Sequence, residues 1–199
     1  MPVTHEYDVV VVGSGAAAFA TALGAIDEGL SVLLVESTDK WGGNSAMSGG
    51  GMWLPTNQLM ARDGVSDSRE EALAYLDATV GDVGRASDRA RKEAFVDGVA
   101  DFVATAQKHG MNLVRSADYA DYYPELTGGK IGRALEVSPF DLKRIGAWWD
   151  TCQAPAAMPI KTDDVWLLGR AWSTPAGFRR GASLVARTLG GVVRGQKLA

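Results

Sequence analysis

The chain has 199 residues, 46% hydrophobic and 22% charged, with a formal net charge of −4. This is the length of one ordinary domain and the balance of a globular protein. Its mild acidity gives no electrostatic basis for holding nucleic acid or an anionic membrane. A single cysteine, Cys152, excludes an intrachain disulfide and points to a reducing cytoplasm, and the two histidines, His5 and His109, stand at no metal-ligand spacing. The first residues carry no Lys or Arg, and the apolar run Val9 to Val12 is too short for a secretion signal or for a membrane span of about 20 residues.

In chain order, Asp8 to Val12 is a β-branched run ending in glycine. It predicts a strand buried on both faces, as in the centre of a parallel sheet. Ala16 to Glu28 predicts a helix, with Phe19, Leu23 and Ile26 at helical spacing and Gly29 as its stop. Ser31 to Glu36 predicts a second strand, completing one βαβ unit. Residues 42–51, rich in Gly and Ser, predict a loop leading into Met52-Trp53-Leu54-Pro55.

Ser68 to Glu71 spells a capping box, with Leu73, Leu76 and Val80 continuing a helical stripe. A longer helix is expected through Phe95, Val99, Phe102, Val103 and Ala106, stopping at Gly110, and Met111 to Arg115 predicts a short strand. From residue 116 the chain is aromatic and loop-like, and Ala182 to Val193 reads as helical at its start. Two clear strands and one short one fall below the several that a doubly wound domain needs. The fold class expected is therefore α/β, an incomplete Rossmann-like nucleotide domain with a helical insertion. The segments are 1–55 for the nucleotide-binding core, 56–110 for the insertion and 111–199 for a loop-rich part lining a pocket. On this reading the chain stops before its sheet closes, and the substrate-covering domain is absent.

Gly13-Ser14-Gly15-Ala16-Ala17-Ala18 fits the pattern G-x-G-x-x-G/A. The first glycine allows the turn out of the strand and the second lets a pyrophosphate approach the backbone. The small third position lets helix and strand pack, and the first helical amides face the phosphates. Glu36, 23 positions after Gly13, can accept bonds from both hydroxyls of an adenosine ribose and would repel a 2′-phosphate. NAD and FAD both satisfy this fingerprint. The second glycine-rich stretch, Gly42, Gly43, Asn44, Ser45, Ser48, Gly49, Gly50 and Gly51, offers amides and hydroxyls to an extended ligand and turns the reading toward FAD. Ser37 joins the expected cofactor residues as the neighbour of Glu36.

Together, Gly13-Ser14-Gly15, Glu36, Gly42-Gly43-Asn44-Ser45 and Ser48-Gly49-Gly50-Gly51-Met52-Trp53-Leu54-Pro55 resemble the FAD-dependent oxidoreductases of the fumarate reductase/succinate dehydrogenase flavoprotein group. The likeness is greatest to the 3-ketosteroid Δ1-dehydrogenases. Asp121-Tyr122-Tyr123-Pro124-Glu125, Gly128-Gly129 and Gly132-Arg133 resemble the tyrosine-bearing segment of those enzymes. The resemblance implies an enzyme that oxidises a ring carbon–carbon single bond beside a ketone and passes hydride to FAD. It implies Tyr122 as the tyrosine that bonds the general base, and Tyr119, Tyr122 and Ser48 as pocket residues for a small hydrophobic substrate, a 3-ketosteroid. The base itself and the ketone-polarising pair match nothing up to residue 199, so this chain alone is expected to be inactive, and the electron acceptor stays open. Trp148, Trp149, Trp166 and Trp172 serve either as substrate-facing or as packing residues. The alternatives are a Δ4-dehydrogenase of 5α-steroids, a fumarate-reductase-like enzyme, or a non-catalytic truncated remnant.

Overall fold

A computed structural model describes residues 5–153, 161–165 and 173–193. Its described residues form two compact units, one from 5–50 and 141–153, the other from 51–140, 161–165 and 173–193.

In the first unit, β1 (Val9–Val12) and β2 (Val32–Val35) pair in parallel, Val9 against Val32 through Val12 against Val35, and helix α1 (Ala16–Asp27) joins them. Gly29 ends α1 as expected. With a φ of +79° it turns the chain so that its amide donates to Ile26 O and the next amide, of Leu30, to Ala25 O. The expectation that β1 is buried on both faces is corrected. Val11 is buried, but Val10 and Val12 are 56% and 81% exposed. Among the described residues the sheet has two strands, and the face that carries Val10 and Val12 stays open to solvent.

Residues 42–51 are not loop throughout. Gly43–Met47 winds into a short helix, α2, once Gly42 has turned the chain at a φ of +110°, and only 48–51 form a loop. Two short 3₁₀ turns, Leu142–Arg144 and Gly146–Thr151, then bring Thr151 O to the amide of Trp41 and the amide of Gln153 to Trp41 O.

The second unit is a three-stranded sheet carrying helices. β3 (Met52–Trp53) and β4 (Leu113–Arg115) both pair antiparallel with a central strand, β5 (Ala134–Val137). No pattern in the sequence marks β5, which lies in the stretch expected to be loop-like. It is short, and its Glu136 breaks the apolar pattern. Glu136 is nonetheless buried because Thr162 donates to it through its amide at 2.8 Å and its hydroxyl at 2.9 Å, and Ser116 through its hydroxyl at 3.2 Å. Helix α3 (Gln58–Arg62) is capped by Asn57, and α4 (Arg69–Thr79) by Ser68.

The capping box is half formed. Ser68 Oγ accepts from the Glu71 amide at 3.1 Å, but the Ser68 amide goes to Asp67 while Glu71 pairs with Lys130. The single helix expected through 95–106 is two, α5 (Arg89–Asp97) and α6 (Val99–Lys108), divided at Gly98, which weakens the helix by lacking a side chain. Val99, Val103 and Ala106 pack with Leu54, Leu59, Leu113 and Leu135. Phe95 and Phe102, expected on that same buried face, instead stay 44% and 36% exposed and line an apolar cleft of about 440 Å³ with Met52, Trp53, Leu54, Gly98 and Val99. The last helix described, α7 (Pro175–Val193), begins before the predicted Ala182.

At the heart of this unit Arg133 is wholly buried. Its guanidinium forks onto Asp67 (2.9 and 2.7 Å) and donates to Asp121 (2.8 Å) and to Gly128 O (2.7 Å). It also lies 5.6 Å from the ring centre of Trp53 and 5.8 Å from that of Tyr75. Burial pushes the Asp67 carboxyl up, and Arg133, the Thr56 amide and the charge of Lys130 together outweigh it, so the net shift is down. Removing this cation leaves the buried Asp121 without its ion pair and Asp67 with Lys130 at 3.6 Å. Arg133→Ala is therefore expected to destabilise the second unit by about 3–5 kcal/mol, measured by urea unfolding. A loss below about 1 kcal/mol would show that water replaces the guanidinium.

Candidate cofactor site

The cofactor residues expected in the first unit converge on one hydroxyl. Ser14 is buried directly after Gly13, whose amide donates to Val35 O at 2.7 Å. Its Oγ donates a short hydrogen bond to Glu36 Oε2 and accepts from the Gly42 amide at 2.9 Å. The glycine turn, the end of β2 and the start of the second glycine stretch are thus joined at a single atom. The other oxygen of Glu36 accepts from the amides of Ser37 (2.8 Å) and Thr38 (3.2 Å) and from the Ser37 hydroxyl (3.1 Å). Ser14 first, then the Thr38 amide, hold the Glu36 carboxyl down at about 2.

The two glycine stretches touch. A Cβ on Gly43 would stand 3.5 Å from Gly15 Cα, and one on Gly15 would meet Ser45 Oγ at 3.4 Å. Ser45 Oγ accepts from the Ala16 amide at 3.0 Å. Of the first-turn amides expected to face phosphates, that of Ala16 is therefore taken by protein, whereas helix geometry gives those of Ala17 and Ala18 no intrahelical carbonyl. A Cβ added at Gly13, Gly49, Gly50 or Gly51 meets nothing within 4 Å, so at these positions the backbone borders open space. Asn44, Ser48, Gly49, Gly50 and Gly51 are exposed, and Ser48 Oγ accepts from the Gly50 amide at 3.2 Å.

Trp41 was not anticipated as part of this region. Its indole packs edge-on to Phe19 of α1, with ring centres 5.9 Å apart, and its Nε1 donates to Trp148 O at 2.8 Å. Its place one residue before Gly42 was the available signal. Trp148 is 71% exposed and offers its carbonyl, not its ring, to this contact. Trp166 and Trp172 lie outside the described residues.

The predicted pocket tyrosines belong to the second unit. Burial, followed by the nearby Tyr122, pushes the Tyr119 phenol above its ordinary value. Tyr122 is 85% exposed. Its neighbours in sequence are fixed: Asp121 is buried, and the Tyr123 amide donates to the Tyr75 hydroxyl at 3.0 Å.

A parallel strand–turn–helix–strand, a glycine turn at its first crossing and a carboxylate at the end of the second strand define a nucleotide-binding α/β protein. Residues 8–196 match the family described as "FAD binding domain", and the chain belongs to that family. It is 38% identical to the 3-oxosteroid 1-dehydrogenase of Mycolicibacterium smegmatis and 35% identical to that of Mycobacterium tuberculosis strain H37Rv. Each alignment takes in 98% of this chain and 35% of the relative. The chain therefore spans about a third of the length of these curated relatives. Its fold is similar to the crystal structure of 3-ketosteroid delta1-dehydrogenase from Sterolibacterium denitrificans in complex with 1,4-androstadiene-3,17-dione. That match has a TM-score of 0.75 and 35% identity, over 94% of this chain and 33% of the other. The cofactor of the family is FAD, and the contacting glycine stretches, the open backbone at Gly13 and Gly49–Gly51 and the carboxylate of Glu36 fit it.

Two outcomes test this geometry. Ser14→Ala removes the main cause of the low Glu36 value, so the carboxyl should titrate closer to the ordinary glutamate value of 4.5, read by carboxyl ¹³C NMR. An unchanged titration would assign the effect to the Ser37 and Thr38 amides. Because the folded value is depressed, the stability these contacts supply is complete above about pH 4.5 and is lost as pH falls toward about 2. Gly42→Ala must hold a φ of +110° and place its methyl 2.6 Å from Ala46 Cβ. A thermal melt should show a loss of about 1–3 kcal/mol.

Proposed function

We propose that this chain is the FAD-binding portion of a flavin-dependent 3-ketosteroid dehydrogenase, working in the cytoplasm on a small hydrophobic ketosteroid. The observation that carries the FAD part is the Ser14 hydroxyl, which fixes Glu36 and Gly42 to the same turn. Glu36 stays ionised throughout the neutral range, and its Oε2, which accepts from Ser14 alone, keeps a lone pair for a ribose hydroxyl of the adenosine end. The amides of Ala17 and Ala18, with the dipole of α1, attract the pyrophosphate. Ser45 acts one step back by holding the Ala16 amide and the start of the helix. Gly43, Asn44, Ser48 and Gly49–Gly51 provide backbone and small polar groups for the rest of the cofactor, without side chains that would block its approach.

The steroid part rests on the likeness to the 3-oxosteroid 1-dehydrogenases and on the tyrosine pair. In such an oxidation the carbon beside the ketone loses a proton, the next carbon loses a hydride, and a carbon–carbon double bond forms between them. Bound FAD supplies the two-electron acceptor for that hydride. Tyr122, with Tyr119 near it, offers a phenol to the ketone ring of the substrate. Ser48, by its likeness to the family, is a further substrate-facing hydroxyl.

Titrating the chain with FAD should give a saturable flavin signal that NAD does not displace. Glu36→Gln should weaken binding roughly ten- to a hundredfold, the range for a lost hydrogen bond to a charged group. A chain that binds no flavin, or a Glu36→Gln variant that binds it equally well, would sink the cofactor assignment. With FAD bound, a 3-ketosteroid should perturb the flavin spectrum, and Tyr122→Phe should reduce that response. A steroid without effect would reject the substrate assignment and leave the flavin result standing.

A further inference from the structure

The Trp53 indole and the Asp121 carboxylate belong to two separate sequence patterns, 68 residues apart, and they meet in a hydrogen bond. Trp53 Nε1 donates to Asp121 Oδ1 at 2.8 Å. The other oxygen of Asp121 accepts from Arg133 Nη1 at 2.8 Å and from the Lys130 amide at 3.0 Å. Trp53 is held in turn, its ring stacked on Phe95 at 5.9 Å with planes 6° apart. The segment from Tyr119 to Gly132 doubles back on itself: the Asp121 amide donates to Lys130 O at 2.9 Å and the Gly132 amide to Tyr119 O at 2.7 Å. Residues on both sides of Tyr122 are therefore pinned, Asp121 through its side chain and Tyr123 through its amide on Tyr75, while the Tyr122 side chain itself stays exposed.

We propose that Asp121, held by Trp53 and Arg133, is a positioning residue that fixes the backbone beside Tyr122 and so presents the Tyr122 phenol, next to Tyr119, in one preset orientation. The inference rests on the reading of Tyr122 as a pocket residue. Its physical basis is that a phenol on a free loop would have to be ordered each time substrate arrives. A buried carboxylate that accepts three bonds, one of them from a buried guanidinium, removes that cost beforehand. Asparagine at this position keeps the shape but cannot serve all three donors, because whichever way its amide turns, its NH₂ faces a donor, either the Trp53 indole N–H or the Arg133 guanidinium and Lys130 amide.

The test labels the five tyrosines of the chain with 3-fluorotyrosine and follows them by ¹⁹F NMR, with the lines of Tyr119 and Tyr122 assigned by Tyr→Phe substitution. In the unmodified chain both lines should be single and sharp. In Asp121→Asn they should shift or split into a second population while the Tyr7 line stays in place. Trp53→Phe, which deletes the indole N–H but keeps an aromatic ring against Phe95, should move the same two lines less. It also decides the matter if Asp121→Asn does not fold. A purely structural role would lower the melting temperature of both variants and leave the Tyr119 and Tyr122 lines of the folded chain unmoved, which would overturn the proposal. Adding a 3-ketosteroid separates the two readings. If the Tyr122 line of the unmodified chain does not respond, the pocket assignment falls and the positioning result stands on the variant spectra. If it responds, Asp121→Asn should weaken the steroid-induced shift roughly tenfold in apparent affinity.

Discussion

The second unit is organised around one constraint: a guanidinium with no access to water has to be matched on every side. Arg133 presents donors in a fixed planar fork, and the chain answers with Asp67 from the approach to α4, Asp121 from the tyrosine segment and the carbonyl of Gly128. Lys130 adds a second cation 3.6 Å from Asp67, so two positive groups face two negative ones. A buried ion pair of this kind contributes little net stability against an apolar replacement, because desolvation offsets the attraction. Its effect is on specificity. Segments far apart in sequence can be satisfied in one arrangement only, and any slip leaves a charge unmatched. Gly128 has to lack a side chain for the same reason, since a Cβ there would run into the backbone of α4 at Glu71 and Tyr75.

The first unit solves a similar problem with smaller groups. A serine hydroxyl can donate once and accept at the same time, and Ser14 does both, toward Glu36 and from Gly42. The middle residue of Gly13-Ser14-Gly15 is therefore not a passive spacer between two glycines. It fixes the distance between the first glycine turn and the second, and it biases Glu36 toward the charged form. Ser45 adds the complementary tie to the start of α1. A ligand that needs both glycine stretches finds them already joined, so less of its binding energy is spent on ordering them.

The βαβ unit, the stop at Gly29, the cap at Ser68 and the strand near residue 113 were legible in the sequence because each depends on neighbours within one element. What was not legible depends on distant partners. A run of Gly and Ser predicts loop, yet α2 forms because Gly42 can adopt a backbone turn that other residues resist. Glu136 breaks the pattern of β5, and only donors at Ser116 and Thr162 make its burial tolerable. Gly98 interrupts an apolar stripe that is otherwise continuous, and Phe95 and Phe102, on either side of the break, line a cleft instead of the core. In the candidate cofactor site the glycine turns, with Ser14 between two of them, and Glu36 stand out by their spacing. The capture of the Ala16 amide by Ser45 does not, because no spacing rule links a helix start to a hydroxyl 29 residues on.

The tryptophan that follows the second glycine stretch illustrates how a pattern in sequence can have its cause elsewhere. Read along the chain, Trp53 looks like the bulky apolar end of a flexible segment. In the fold its ring stacks on Phe95 and lies beside Arg133, while its one polar atom is committed to Asp121. A Phe or Leu at this position could fill the space but could not donate that bond. The residue type is set by a carboxylate in the tyrosine segment, and that carboxylate is held in turn by the buried arginine. The strand that leaves the cofactor stretch and the segment that carries Tyr122 are in this way positioned by the same charge network.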